Sequence, residues 1–241
     1  RSVKVKDKKL TSLPKATEEH TIPPFRMENP RKQAIWVSAV VLLVLVVDQC
    51  VKIWIKTHMA LGDEIRVFDW FRILFVENIG MAFGVELGSK LFLSLFRIIA
   101  MGLIAWGIVV LIKSRHFPLG FLICMALVFS GGIGNVLDSM FYGMIFSDSN
   151  GQIATLFPPD GGYGSFLHGK VVDMLYFPLI DTVWPSWMPF VGGKRFTFFD
   201  PVFNIADSCI SVGVVLLLVF YTRTFTEAVE YFSNPRIRKA T

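Results

Sequence analysis

Four stretches of this chain, residues 34–55, 91–112, 117–137 and 202–221, each run for about twenty predominantly apolar residues. At about 1.5 Å per residue a helix of that length matches the roughly 30 Å hydrocarbon core of a bilayer. In lipid such a segment must satisfy its own backbone, which makes helix its form. Composition agrees, since 53% of the 241 residues are hydrophobic and 23 are Phe. A soluble globule of this size has too little interior to hide that much apolar area. The pattern predicts an all-α membrane protein of four transmembrane helices, with a small extracytoplasmic β-rich cap and a loop insertion.

Basic residues orient the helices. Arg31 and Lys32 precede the first segment, KSRH joins the second to the third, and Arg223 and RIRK follow the fourth. A four-pass topology puts these three regions on one side, and the excess of Lys and Arg makes that side the cytoplasm. Both termini are then cytoplasmic, and residues 56–90 and 138–201 lie outside. Cytoplasmic flanks also explain the formal charge of +5 more simply than a nucleic-acid partner, and none is expected. Residues 1–33 read as a disordered leader, 34–222 as the membrane domain and 223–241 as a tail. A start at Met27 is the other reading of the leader, placing MENPRK directly before the first helix. The first segment is long enough to span, so no cleavable signal peptide is expected.

The outer segments carry their own signals. Residues 65–78 and 170–179 are rich in β-branched and aromatic side chains and predict short strands. Residues 143–169 are rich in Gly, Pro, Ser and Asp, as turn-forming loop is. WPSWMPF (184–190) either dips into the headgroup region, which tryptophan favours, or packs as an aromatic loop. Cys50, Cys124 and Cys209 fall in apolar runs without a CxxC pair and are expected as buried apolar side chains. The four histidines are scattered without ligand spacing, so no metal is expected.

Several polar residues come to one depth near the outer ends of the helices. Asp48 and Lys52 are i and i+4 in VVDQCVKIW and can pair. Asn135 and Asp138 close the third segment in GGIGNVLD, Asn204 and Asp207 open the fourth in FNIADS, and Asn78 lies in ENIGMAFG. Ionisable groups at membrane depth are costly and mark a site or pathway. No GxSxG elbow, thiol–histidine signature, Walker A or GxGxxG motif is present. Carboxylates remain. Two placed close together share a proton, and such a pair can activate water as general base and protonate the leaving amine as general acid. The residues themselves leave open which aspartates pair. They also leave open a small transporter or proton-coupled channel subunit, though no internal repeat supports it.

The motifs DQCVK (48–52), NIGMAFG (78–84), GGIGNVLD (131–138), VVD (171–173) and FNIADS (203–208) resemble, in order, those of the lipoprotein signal peptidases, or signal peptidase II. The resemblance covers residues 34–222. It implies a cofactor-free aspartyl endopeptidase of the bacterial cytoplasmic membrane. Such an enzyme removes the signal peptide of diacylglyceryl-modified prolipoproteins by cutting before the lipidated cysteine. Asp173 and Asp207 are implied as the catalytic pair, with Asp48, Lys52, Asn78, Asn135, Asp138 and Asn204 shaping the site. Membrane lipids and globomycin-type inhibitors are the other implied partners, and a monomer the expected state. Two departures stand out. The family often has Arg where this chain has Ser139, and Lys170 is a candidate substitute. The stretch between Asp138 and Asp173 is long, and 144–169 is expected as an outer cap over the site. Asp148, Asp160 and Asp181 read as solvated loop residues.

Overall fold

The computed structural model describes residues 29–79, 90–198 and 200–234. The N-terminal leader through Glu28, the GMAFG stretch and the RIRK tail lie outside the described residues. Helix α1 (Pro30–His58) starts where the Asn29 side chain accepts from the Arg31 N–H at 2.9 Å, with proline in the first turn, a strong N-terminal signal. The helix thus begins inside the stretch expected as leader. Gln33 is already buried, its Nε2 donating to the Phe117 carbonyl at 2.8 Å.

Helices α2 (Lys90–Ser114) and α3 (Leu119–Leu137) follow, and α3 packs against α1, α2 and α5 (Ile205–Phe220). Gly131 permits a close approach to α5: a Cβ there would fall on the Ala206 carbonyl oxygen and within 2.7 Å of Ile210 Cγ1. Small residues drive helix association in lipid in this way. Helix α1, helix α2 and the run Leu119–Ile145 are long and apolar enough to cross a membrane. In α1 and α2 only 17% of the apolar window is buried inside the protein. Leu42, Leu43, Phe92, Ile99 and Leu103 are each more than 60% exposed. Apolar surface on that scale needs lipid as its solvent.

The fourth segment departs from expectation. Residues Val202–Phe203 form a strand, β6, so α5 begins at Ile205 and has sixteen residues. That is roughly 24 Å of helix. The chain then bends by 95° into α6 (Thr222–Ser233). Helix α6 folds back on the bundle, with Tyr231 against Phe117 and Phe232 against Trp106 at ring centroid distances of 5.9 and 5.2 Å. Cys124 is buried, but Cys50 is exposed and Cys209 intermediate, so only one of the three meets the expectation of a core residue.

At the other end of the bundle the architecture is mixed helix and sheet rather than all-α. Strands β1 (Glu64–Phe68), β2 (Phe71–Asn78), β3 (Val171–Tyr176) and β6 form one antiparallel sheet in the order β1-β2-β3-β6. Strands β4 (Ile180–Val183) and β5 (Arg195–Phe198) form a separate hairpin. Its tip is the tryptophan loop, where Trp187 is 77% exposed while Trp184 packs on Phe196. Between β2 and β3 the partners step from Ile73↔Leu175 to Val76↔Asp173, one extra residue on β2. Such a bulge re-aims side chains, and this one lies directly beside Asp173.

After α3 the helix loosens into a π-helical turn, Asp138–Tyr142, and a last α turn, α4 (Gly143–Ile145). Residues 146–170 contribute two isolated bridges, Phe146↔Leu156 and Ala60↔Ile153. Phe146 and Ala154 pack into a core with Ile55, Phe75, Val172 and Met174. The long segment is therefore wedged between α1 and the sheet.

Candidate active site

Helices α1, α3 and α5 and strands β2 and β3 converge on one buried network. On α1, Asp48, Lys52 and Lys56 recur every four residues and share a face. Lys52 is fully buried, and its ammonium meets Asp48 Oδ2 at 3.0 Å, Asp138 Oδ2 at 2.8 Å and Asn135 Oδ1 at 2.9 Å. Its three donors have three acceptors. Gln49 bridges the same carboxylates, with Nε2 donating to Asp48 Oδ2 at 3.1 Å and Asp138 Oδ1 at 2.9 Å. Tyr142 fixes the amide by donating to Gln49 Oε1 at 3.1 Å. Asp48 also accepts the Ala206 N–H at 3.0 Å. That N–H lies in the first turn of α5, where backbone donors have no partner within the helix.

The second half of the network grows from the start of α5. Pairing of Leu175 with Phe203 and Tyr176 with Val202 delivers the chain to Asn204 just beyond Asp173. Asn204 caps α5: its Oδ1 accepts the Asp207 N–H at 2.8 Å, and Asp207 Oδ2 accepts the Asn204 N–H at 3.4 Å. This reciprocal box fixes the Asp207 rotamer. The Asn204 amide nitrogen then donates to Asp173 Oδ1 at 2.7 Å and Asn135 Oδ1 at 3.1 Å. Asn135 returns its own amide N–H to Asp207 Oδ1 at 2.8 Å. One asparagine pair thus holds both Asp173 and Asp207, and Asn78 on β2 adds a side-chain bond to Asp173.

Asp173 is only 3% exposed. Burial, and then the charge of Asp207, push its carboxyl up to about 7, against the smaller opposing effects of Asn204, Asn78 and Lys52. A carboxylic acid that titrates near neutrality beside a second carboxylate is the arrangement an acid–base pair needs. All eight residues singled out in the sequence meet in this one network.

Lys170 does not meet it. It pairs with Glu77 Oε2 at 2.8 Å and Asp148 Oδ2 at 3.6 Å, beside Lys56, which bonds Glu77 and donates to Ser149 Oγ at 2.8 Å. Burial pushes the Glu77 carboxyl up, but its bonds to Lys170 and Lys56 outweigh that and hold it below its usual range. The Tyr163 ring stands 4.9 Å from the Lys56 ammonium and 5.0 Å from that of Lys170. Lys170 is therefore committed to an ion-pair cluster of its own, which Asp148 reaches from its solvated loop. Asp160 is exposed, while the Asp181 side chain lies outside the described residues. Sequence reasoning missed Gln49, Lys56 and Glu77. The stripe through Lys56, one further turn along from Asp48 and Lys52, was the available signal. Among the described residues no group of three or more His, Cys, Asp or Glu is arranged to hold a metal ion.

A family model described as signal peptidase (SPase) II matches residues 40–223. The chain belongs to the signal peptidase II family. A lipoprotein signal peptidase of Porphyromonas gingivalis is 62% identical over 188 residues, spanning 78% of this chain and 83% of the relative. One from Amoebophilus asiaticus is 33% identical over 204 residues, 82% of each chain. A bacterial membrane enzyme solved at 2.3 Å by the in meso method shares the fold, with a TM-score of 0.53 at 22% identity over 79% of this chain and 90% of that one. Membership in a peptidase family leaves the transporter reading without support.

Proposed function

We propose that this chain is a lipoprotein signal peptidase in which Asp173 and Asp207 form the catalytic pair. The observation that carries the assignment is the pair of cross-linked asparagines, which holds one carboxyl titrating near 7 beside a second, half-buried one. Asp207 takes a proton from water, and the water oxygen attacks the scissile carbonyl carbon. Asp173 gives its proton to the carbonyl oxygen, forming a neutral tetrahedral diol. The proton now on Asp207 passes to the leaving nitrogen as the C–N bond breaks, and Asp173 recovers a proton from the diol. Asp48, Lys52, Asn78, Asn135, Asp138 and Asn204 hold the pair in place.

The protein crosses the bacterial inner membrane four times, α5 with α6 completing the last pass, and both termini are cytoplasmic. The site then opens at the outer face. Its substrates are diacylglyceryl-modified prolipoproteins, cut before the lipidated cysteine. The signal helix enters sideways from the bilayer, and the enzyme works as a monomer among membrane lipids. Purified protein should cleave a diacylglyceryl prolipoprotein, spare the unlipidated form, and be blocked by a globomycin-type peptide. Asp173→Asn and Asp207→Asn should each abolish turnover while leaving folded protein in the membrane. Full turnover by either variant would refute the pairing.

A further inference from the structure

One cation at membrane depth is not used by the network. Between Lys90 and Lys113 the only charged residue of α2 is Arg97, in the run LSLFRIIAM. Lys90, Ser94 and Arg97 lie on one helix face, and that face is turned toward the site. The Lys90 ammonium donates to the His168 carbonyl at 2.6 Å and the Ser94 hydroxyl to the Leu167 carbonyl at 3.2 Å. One turn deeper, Arg97 lines a narrow gap together with Asn78, Ser139, Gly169 and Val171. It is half-buried and interacts with the charges of Asp207, Asp173 and Asp138.

A guanidinium stays charged and carries five N–H donors in a rigid fork. In an apolar helix it is costly unless something compensates it. Here its interactions with Asp207, Asp173 and Asp138 compensate it. Yet among the described residues no carboxylate or carbonyl accepts a hydrogen bond from Arg97. It lines the gap together with Asn78, whose side chain bonds Asp173. Lys90 lines the same gap but gives its ammonium to the His168 carbonyl, the Ser139 hydroxyl is committed to the Asn135 carbonyl at 3.0 Å, and Lys170 is held by Glu77 at 2.8 Å.

We propose that Arg97 binds a peptide carbonyl oxygen of the extended substrate segment next to the scissile bond, fixing the register in which that bond meets the aspartates. This rests on the assignment of Asp173 and Asp207. The test uses the full chain in lipid with a diacylglyceryl prolipoprotein, comparing the parent, Arg97→Gln, Arg97→Lys and Asp173→Asn. Arg97→Gln should lower kcat/KM on the order of 10–100-fold, the scale of one charge-assisted hydrogen bond. Most of the loss should appear in KM, with the pH profile of kcat unmoved. Arg97→Lys keeps the charge without the fork and should fall between Arg97→Gln and the parent. An unchanged KM for Arg97→Gln would overturn the proposal. So would a displaced pH profile of kcat at unchanged KM, which would make Arg97 a partner of the aspartates instead. Turnover by Asp173→Asn would mark failure of the catalytic pair itself, read independently of the Arg97 variants.

Discussion

Asp173→Asn should inactivate the enzyme and stabilise it, by an amount that grows with pH. The Asp173 carboxyl is raised from an ordinary 3.8 to about 7 by burial and by Asp207. A raised carboxyl binds its proton more tightly folded than unfolded. Its stabilising contribution is complete below about pH 3.8 and is lost as pH climbs through that value to 7. Three pH units of linkage correspond to roughly 4 kcal/mol, fully lost by about pH 8. Asparagine cannot ionise and escapes the loss. It is nearly isosteric, and its carbonyl oxygen can still accept from the Asn204 amide, which donates to Asp173 Oδ1 at 2.7 Å. About 1.7 kcal/mol of the loss is already incurred at pH 5, so the stability gap between variant and parent should widen by roughly 2–3 kcal/mol between pH 5 and pH 8. Thermal unfolding of purified parent and variant in one detergent, followed across that range, reads the gap, with cleavage assays in parallel. A gap that is flat or shrinks with rising pH would refute the placement of a neutral acid at position 173.

Three further substitutions test the supports. Asn204→Ser keeps a good helix cap but loses the amide donor to Asp173; the ionised form is less favoured, and the alkaline limb of the kcat/KM profile should move up by about 1–2 pH units. An unmoved or acid-shifted limb would count against that bond. Lys52→Met leaves Asp48 and Asp138 buried without their shared cation, and destabilisation of about 3–5 kcal/mol is expected; an unchanged unfolding temperature in detergent would contradict it. Gly134→Ala places a Cβ 2.7 Å from Asp48 Oδ2, and overpacking of about 1–3 kcal/mol should appear as a lowered melting temperature together with reduced kcat.

How much of this was legible in the sequence depends on range. The Asp48–Lys52 pair follows from local helical spacing. That Lys52 also reaches Asp138 and Asn135, more than eighty residues away, needs the packing of α3 on α1, which no local pattern encodes. Residues 65–78 were readable as strand from their β-branched and aromatic content. Strand β6 was not, because two residues, Val202 and Phe203, merge with the apolar run that follows them. The amphipathic α6 escaped because the length-and-apolarity test rewards helices that are apolar all round. Family resemblance supplied Asp173 as the partner of Asp207. The physical route that joins them is the short β3–β6 ladder leading into the Asn204 cap.

That ladder also explains why Asp173, and not Asp138, is suited to carry the exchangeable proton. Both are buried, so burial alone favours the neutral form of each. Their partners differ. Asp138 meets the Lys52 ammonium at 2.8 Å, the Gln49 amide at 2.9 Å and the Val172 N–H at 3.3 Å. A full positive charge and two dipoles hold it in place, in a structural triad with Asp48 and Lys52. Asp173 receives its bonds from the side-chain amides of Asn204 and Asn78, faces the like charge of Asp207, and feels Lys52 only as its weakest influence. Amide dipoles orient a carboxyl without fixing its charge. The four aspartates therefore divide by the company they keep: Asp48 and Asp138 share Lys52 and build the site, while Asp173 and Asp207 are held by asparagines as the pair proposed for catalysis.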